Sequence, residues 1–106
     1  MKIISMESMH RGWFIGDFHP SAYRTKDFEV GIINHKAGEN WPAHYHRDVV
    51  EINYLHTGEM TIQNTKLKTG DIFLIDKGEV ADPVFHSDCT IIVVKVPSIP
   101  ADKVEI

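Results

Sequence analysis

The sequence predicts an all-β domain with little helix, and three observations support this class. Short apolar and β-branched runs alternate with turn signals at intervals of roughly 8 to 12 residues, as in sandwiches and barrels. No window of about 11 residues repeats apolar side chains with the period of an amphipathic helix. The chain has 106 residues, of which 42% are hydrophobic and 25% charged. These values suit one compact domain with a modest core.

The predicted strands are segments rich in aromatic, β-branched or other apolar residues, and they end at glycine, proline or short polar turns. In chain order they cover residues 12–18, 28–35, 49–56, 60–63, 71–75 and 90–96. Asn64-Thr65 and residues 76–79 supply turns, and Pro97 follows the last clear strand.

Charge and cysteine content exclude several classes of protein. The net charge is −4 and no Lys/Arg cluster is present, so we expect neither a nucleic-acid partner nor an anionic membrane. Cys89 is the only cysteine and cannot form an internal disulfide, which favours a reducing compartment. No apolar run approaches the ~20 residues of a membrane span, and the N-terminus does not have the pattern of a signal peptide. We therefore expect a soluble cytoplasmic protein.

Two histidines and a glutamate form the most informative pattern in the chain. His44 and His46 are two residues apart, so in a strand both side chains point to one face. Glu51 follows five residues later, an odd step that would place it on the opposite face of one continuous strand. Arg47-Asp48 can form a turn, after which Glu51 can point back at the imidazoles from the neighbouring strand.

Two imidazoles and one carboxylate on rigid strands form a facial ligand set for a divalent metal such as Fe, Ni, Mn, Co or Zn, with positions left for water or substrate. The imidazoles must be neutral to bind, so metal affinity should weaken in acid. A single histidine is more often an ordinary polar residue of a strand surface. We keep that interpretation for His10, His19, His35 and His86.

Two blocks of the chain resemble the cupin superfamily. Residues 38–58 have the spacing G-x5-H-x-H-x4-E-x6-G, which is similar to the first cupin motif. Residues 70–81 resemble the second motif, G-D-x4-P-x-G-x2-H. The resemblance extends from about residue 31 to residue 96. It implies a jelly-roll barrel, also called a double-stranded β-helix, with the ligand pocket in the barrel interior.

The second block departs from the motif at two positions. The proline of the motif falls on Asp76, and its histidine, which is usually the fourth metal ligand, falls on Ala81. A methyl group cannot bind a metal, so water, a shifted Asp82 or His86 would have to replace the missing ligand. We expect water, because alternation points His86 away from the face of Ala81. The metal site would then be weak and partly occupied or empty.

Other pocket residues follow from strand alternation. Asn53 shares the inward face of Glu51, whereas Tyr54 and His56 should point the opposite way. Trp41 and Tyr45 flank the histidine pair and are candidates for a pocket wall or for core packing. Asp82, like Asn53, is a candidate for orienting a substrate.

A second copy of the chain is the expected protein partner, because a domain of this size is only modestly stable alone. The aromatic segment 12–18 can pair across a dimer interface, an arrangement common among cupins, or it can add a strand to its own sheet. The single domain of residues 1–106 therefore divides into N-terminal strands at residues 1–30 and a core barrel at residues 31–96.

The resemblance implies many activities, which include dioxygenases, isomerases, decarboxylases, lyases and sugar binders, because a fold does not fix a function. Our first hypothesis is a metal-dependent isomerase, lyase or dioxygenase that acts on a small polar metabolite such as a sugar or hydroxy acid. The second is a non-catalytic binding module with a degenerate metal site, and the third is a dimeric scaffold. No catalytic residue can be assigned from the sequence.

Overall fold

A computed structural model describes residues 1–106, and nearly all of its regular structure is β. Its single helical segment is the 3-10 turn Met6–Ser8, and no helix is long and apolar enough to cross a membrane. The ten strands are β1 Trp13–Ile15, β2 Glu29–His35, β3 His44–His46, β4 Val50–Thr57, β5 Glu59–Ile62, β6 Thr65–Lys68, β7 Ile72–Ile75, β8 Val84–Phe85, β9 Cys89–Val96 and β10 Lys103–Glu105. The predicted all-β class is therefore confirmed.

The strands form one large sheet and two small ones. The large sheet has the order β1-β2-β9-β4-β7, and the small sheets have the orders β6-β5-β8 and β10-β3. Isolated bridges from Asn40 to Val84 and from His44 to Ala81 join the two small sheets. The small sheets thus act as one layer that packs against the large sheet and encloses the interior.

The hydrophobic core lies between these layers. Alternation along each strand sends every second side chain into it, as the buried residues Cys89, Ile91 and Val93 of β9 illustrate. The full cluster draws members from both layers: Leu55, Met60, Ile62, Ile75, Ala81, Phe85, Cys89, Ile91 and Val93.

Five of the six predicted strands agree with the observed bounds to within one residue, and the short strands β3, β6, β8 and β10 were not among the predicted segments. The predicted strand 12–18 shortens to β1, because the backbone N–H of Asp17 donates to the Ser98 hydroxyl (2.8 Å) instead of to a neighbouring strand. β1 pairs with β2 of its own chain. The β5–β6 turn is centred on Gln63 and Asn64, whose positive φ angles of 51° and 57° match a tight hairpin.

Gly58 ends β4 in a conformation that requires glycine. Its φ is +105°, and an added Cβ would lie 2.5 Å from the Asp88 carbonyl oxygen and 2.6 Å from Cys89 Sγ. Both the positive φ and the close approach of the start of β9 therefore exclude a side chain here.

Candidate metal centre and ligand cavity

The interior between the two layers contains a cavity of about 1200 Å³. Small-molecule sites usually occupy about 300 to 1000 Å³, so this space is ample for a metabolite. Its walls are largely apolar, with Ile62, Phe73, Ile91 and Val93 among the lining residues, and a group of polar side chains interrupts them.

His44, His46 and Glu51 all line this cavity. The two histidines begin and end β3, so alternation turns both rings inward. Residues 47–48 form the bend that the sequence predicts, and Glu51 then returns from β4. The His46 Nε2 and Glu51 Oε2 atoms are 3.2 Å apart, and the rings of His44 and His46 meet edge to face with centroids 5.5 Å apart.

A hydrogen bond joins His46 to Glu51, and it keeps the carboxylate ionised. A carboxylate only accepts hydrogen bonds, so His46 Nε2–H is the donor. Burial raises the pKa of Glu51, but the hydrogen bond from His46 and the positive charge of Lys95 outweigh it and hold this pKa below its ordinary value. The nearby Asn53 amide lowers this pKa further, and its Nδ2 donates to the Phe73 carbonyl oxygen at 3.5 Å.

His44 is held in the tautomer that a metal ligand needs. Its Nδ1 lies 3.1 Å from the carbonyl oxygen of Pro42 and must be the donor, which leaves the lone pair on Nε2 free. Burial lowers the pKa of His44, and the positive charge of Lys103 adds to this, against the opposing effect of the Pro42 hydrogen bond. The neutral ring is therefore favoured.

The donor chemistry fits a divalent metal, since one neutral imidazole and one ionised carboxylate face the cavity together with a second imidazole. As the side chains stand, no group of three or more His, Cys, Asp or Glu residues is gathered closely enough to hold a metal ion. To bind a metal through Nε2, His46 would have to carry its ring proton on Nδ1, and its 3.2 Å contact with Glu51 would have to open.

The fourth-ligand position is occupied by a methyl group. Ala81 is buried, pairs directly with His44 across a β-bridge and lines the cavity. Neither predicted substitute reaches in. Asp82 instead accepts a hydrogen bond from the backbone of Gln63 (2.8 Å), and His86 is exposed and contacts the Thr61 hydroxyl.

The predicted pocket residues divide into two groups. Asn53, which is 2% exposed, and Trp41 lie on the cavity wall. Tyr45 and Asp82 do not, and the prediction is corrected for both. Tyr45 lies between the two inward histidines of β3, so alternation must turn it outward. Asp82 follows the inward Ala81 and points away for the same reason.

Sequence reasoning missed a histidine that faces the cavity. His35 ends β2, where alternation with Gly31 and Ile33 turns it inward, and it stacks on Phe85 with ring centroids 4.1 Å apart. Its Nδ1 donates to the Glu39 carboxylate, which also accepts from Trp41 Nε1 (2.7 Å). The hydrogen bond from Trp41, followed by that from His35, lowers the pKa of Glu39. His35 Nε2 is left free on a ring fixed by a carboxylate.

Two lysines on the cavity wall were also missed. Lys95 is the inward residue of β9 opposite Glu51, and Lys103 is the residue of β10 opposite His46. Alternation along residues 89–95 could have revealed Lys95. No signal in the sequence brings residue 103 beside the histidine strand, because the pairing spans almost 60 residues of chain.

Solved structures with the same architecture come from several bacteria. A protein with a double-stranded β-helix domain from Klebsiella pneumoniae is 22% identical, with a TM-score of 0.69 over 76% of this chain and 71% of that one. KdgF from Halomonas is 20% identical, with a TM-score of 0.64 over 72% of this chain and 74% of that one. The DMSP lyase DddQ from Ruegeria pomeroyi is 16% identical, with a TM-score of 0.72 over 96% of this chain but 55% of its own.

The chain therefore has the cupin fold, a double-stranded β-helix barrel, as the two sequence motifs predicted. In sequence, neither a protein-family model nor a curated protein matches it. These likenesses define the fold, and the activity has to be inferred from the site.

Proposed function

We propose that this protein binds a divalent metal ion through His44, His46 and Glu51 and acts as a metal-dependent enzyme on a small polar molecule in the cavity. One observation carries the proposal: three donor side chains from two successive strands line a single cavity that has room for a metabolite. The fixed tautomer of His44 and the depressed pKa of Glu51 support it, because both present lone pairs to the same space.

A bound divalent ion would act as a Lewis acid toward an oxygen atom of the ligand. The chain's own residues would supply positioning and proton transfer. Asn53 is buried on the same inward face as Glu51, and its side-chain amide would help to orient the ligand. His35, oriented by Glu39, presents Nε2 as a proton acceptor.

Calorimetric titration of metal-free protein with Ni²⁺, Co²⁺, Mn²⁺ and Zn²⁺ tests this proposal. We expect binding of at least one ion near one per chain, with an affinity that falls in acid because protons compete with the metal for the imidazole lone pairs. His46→Ala should weaken binding by more than about 100-fold, since even outer-shell partners of a metal site are worth about 10- to 100-fold.

The control for the titration is His56→Ala. His56 is an exposed residue of the same strand as Glu51 and points to the other face of the sheet, so its loss should leave metal affinity unchanged. Equal metal affinities for the wild type and His46→Ala would contradict the proposal that this site binds a metal.

A second candidate function is a binding module without catalysis. The methyl group of Ala81 at the fourth-ligand position favours it, because a site with three ligands at most holds metal less tightly. Ligand binding that is the same in metal-free wild type and in His44→Ala would support the module over the enzyme.

For the assembly, we propose a homodimer formed through the outer face of the large sheet. Here "outer face" means two rows of side chains that run across four strands. The rows are Val30–Val94–Ile52–Leu74 and Ile32–Ile92–Tyr54–Ile72. Neither row contains a charge, and Ile72 and Leu74 are 67% and 61% exposed. Contiguous apolar patches of this kind mark interaction surfaces, and a two-fold pair of identical sheets is the simplest way to cover one.

A further inference from the structure

Two positive charges flank the candidate metal centre inside the cavity. Lys95 extends from β9 beside Glu51, and Lys103 extends from β10 beside His46. Both line the cavity.

Each lysine rests on one of the chain's two tryptophans. Lys95 Nζ lies 4.8 Å from the ring centroid of Trp13, and Lys103 Nζ lies 4.6 Å from that of Trp41. An indole face holds a cation without neutralising it and without using its N–H donors. Trp13 itself lies flat because Gly31 beneath it has no side chain, and a Cβ there would be 2.7 Å from the ring.

Neither ammonium group has an ion-pair partner in the protein. Glu29 and Glu51 lie on either side of Lys95 in the strand register, but no carboxylate oxygen approaches Nζ within 4.0 Å. Glu29 instead accepts a hydrogen bond from the Ser98 hydroxyl (2.9 Å). Glu39, next to Trp41, is already bonded to that indole and to His35.

We propose that Lys95 and Lys103 form an anion-recognition pair and that the ligand of this cavity is a small carboxylate, not a neutral sugar. The inference rests on the proposed function, because it names the class of molecule on which the site acts. Ammonium groups without an ion-pair partner in the protein can form charge-assisted hydrogen bonds to a carboxylate, which a neutral sugar cannot match. A divalent cation bound between them would increase the positive charge of the site and strengthen this preference.

Malonate and its neutral isostere malonamide provide the test. Protein stripped of metal and dialysed free of chelator is titrated with each, and binding is followed by the amide resonances of cavity residues. We expect saturable shifts with malonate and at least tenfold weaker binding of malonamide. Equal binding of the two compounds, or no saturable shift with malonate, would overturn the inference.

Variants assign the effect to the two lysines. Lys95→Met and Lys103→Met keep the aliphatic stem over each indole and should each weaken malonate binding about tenfold. Lys95→Arg keeps the charge and should retain most of the affinity. Lys66→Met, on the exposed strand β6 outside the cavity, is the matched control and should change nothing. If both Lys95→Met and Lys103→Met bind malonate with wild-type affinity, these lysines do not bind the ligand.

Failure of the metal proposal is distinguished from failure of this one by the nickel titration of the same protein without malonate. If nickel does not bind but malonate binding depends on the lysines, only the metal proposal fails. If nickel binds but malonate binding is unchanged in both lysine variants, only the anion proposal fails.

Discussion

Each face of the large sheet departs in one region from the polarity that a globular protein normally gives it: the inner face carries charged residues beside the apolar core, and the outer face exposes apolar rows. The inner face carries the charged row Glu29–Lys95–Glu51 and, in the next row, Asn53. The outer face has two uncharged rows that end in the exposed Leu74 and Ile72. Buried polar groups and exposed apolar patches are the informative departures from ordinary burial. These two departures are the basis of the ligand site and the dimer surface that we propose.

A substitution that destabilises the strand contributing to both faces should cause the largest loss of stability. Gly58 ends β4, the strand that carries Glu51 and Asn53 inward and Ile52 outward. Gly58→Val should destabilise the protein by roughly 3 kcal/mol, because it combines a left-handed backbone with overlap onto Asp88. Thermal denaturation should show a loss of more than about 10 °C.

The control for this change is Gly78→Val. Gly78 also has a positive φ, of 75°, but nothing lies within 4 Å of an added Cβ. It should cost about 1 to 2 kcal/mol from backbone strain alone. Equal melting temperatures for the two variants would mean that the close approach at Gly58 contributes nothing.

A charge on the outer face should separate its role from that of the inner face. Leu74→Glu places a carboxylate at the proposed dimer contact and should raise the dimer dissociation constant at least about 100-fold, as expected for a central interface residue. Light scattering coupled to size-exclusion chromatography measures the change. Nickel affinity should stay as in wild type.

Ile3→Glu is the control for the outer face, because Ile3 is 83% exposed and lies outside both rows. It should remain dimeric. A wild-type protein that is monomeric at all concentrations, or a dimeric Leu74→Glu variant, would contradict the role given to the outer face.

The smallest effect concerns the pH dependence of the inner face. Folding lowers the pKa of His44 below its ordinary value of 6.5, so below that pH the unfolded chain binds a proton that the folded chain excludes. The stability of metal-free protein should therefore fall as pH decreases from about 6.5 toward the folded pKa. The melting temperature of His44→Gln should decline less between pH 7 and pH 5 than that of wild type. A matching decline in both would show that His44 does not titrate differently on folding, and His56→Gln serves as the control.

The fold and the His44, His46, Glu51 and Asn53 positions could be predicted from the sequence because they depend on residues that are close together in the chain. The spacing of His44 and His46, the bend at residues 47–48 and the alternation that places Asn53 inward are all properties of neighbouring residues. Tyr45 was misplaced because proximity to the histidines was given more weight than alternation, which turns it outward. Asp82 was misplaced because its carboxylate serves a backbone N–H of the β5–β6 turn, a contact between residues 19 positions apart.

The parts of the site that could not be predicted depend on long-range pairing. His35 reaches the cavity because β2 pairs with β9, and Lys103 reaches it because β10 pairs with β3. Both residues have unremarkable sequence neighbours. Their roles arise when the sheets assemble, and no periodicity in a single sequence specifies which strands become partners.

The position of β10 has a further consequence for how the site opens. Its three residues pair with β3 alone, at the edge of the two-stranded sheet, while β3 carries both candidate metal-binding histidines. Local fraying of residues 103–106 would withdraw Lys103 and release the backbone of Tyr45, the β3 residue opposite Val104, while the backbones of His44 and His46 stay bonded to Ala81 and Gly78. Amide hydrogen exchange at Val104 and Ile106 can therefore serve as a gauge of ligand occupancy, with protection that rises as the cavity fills.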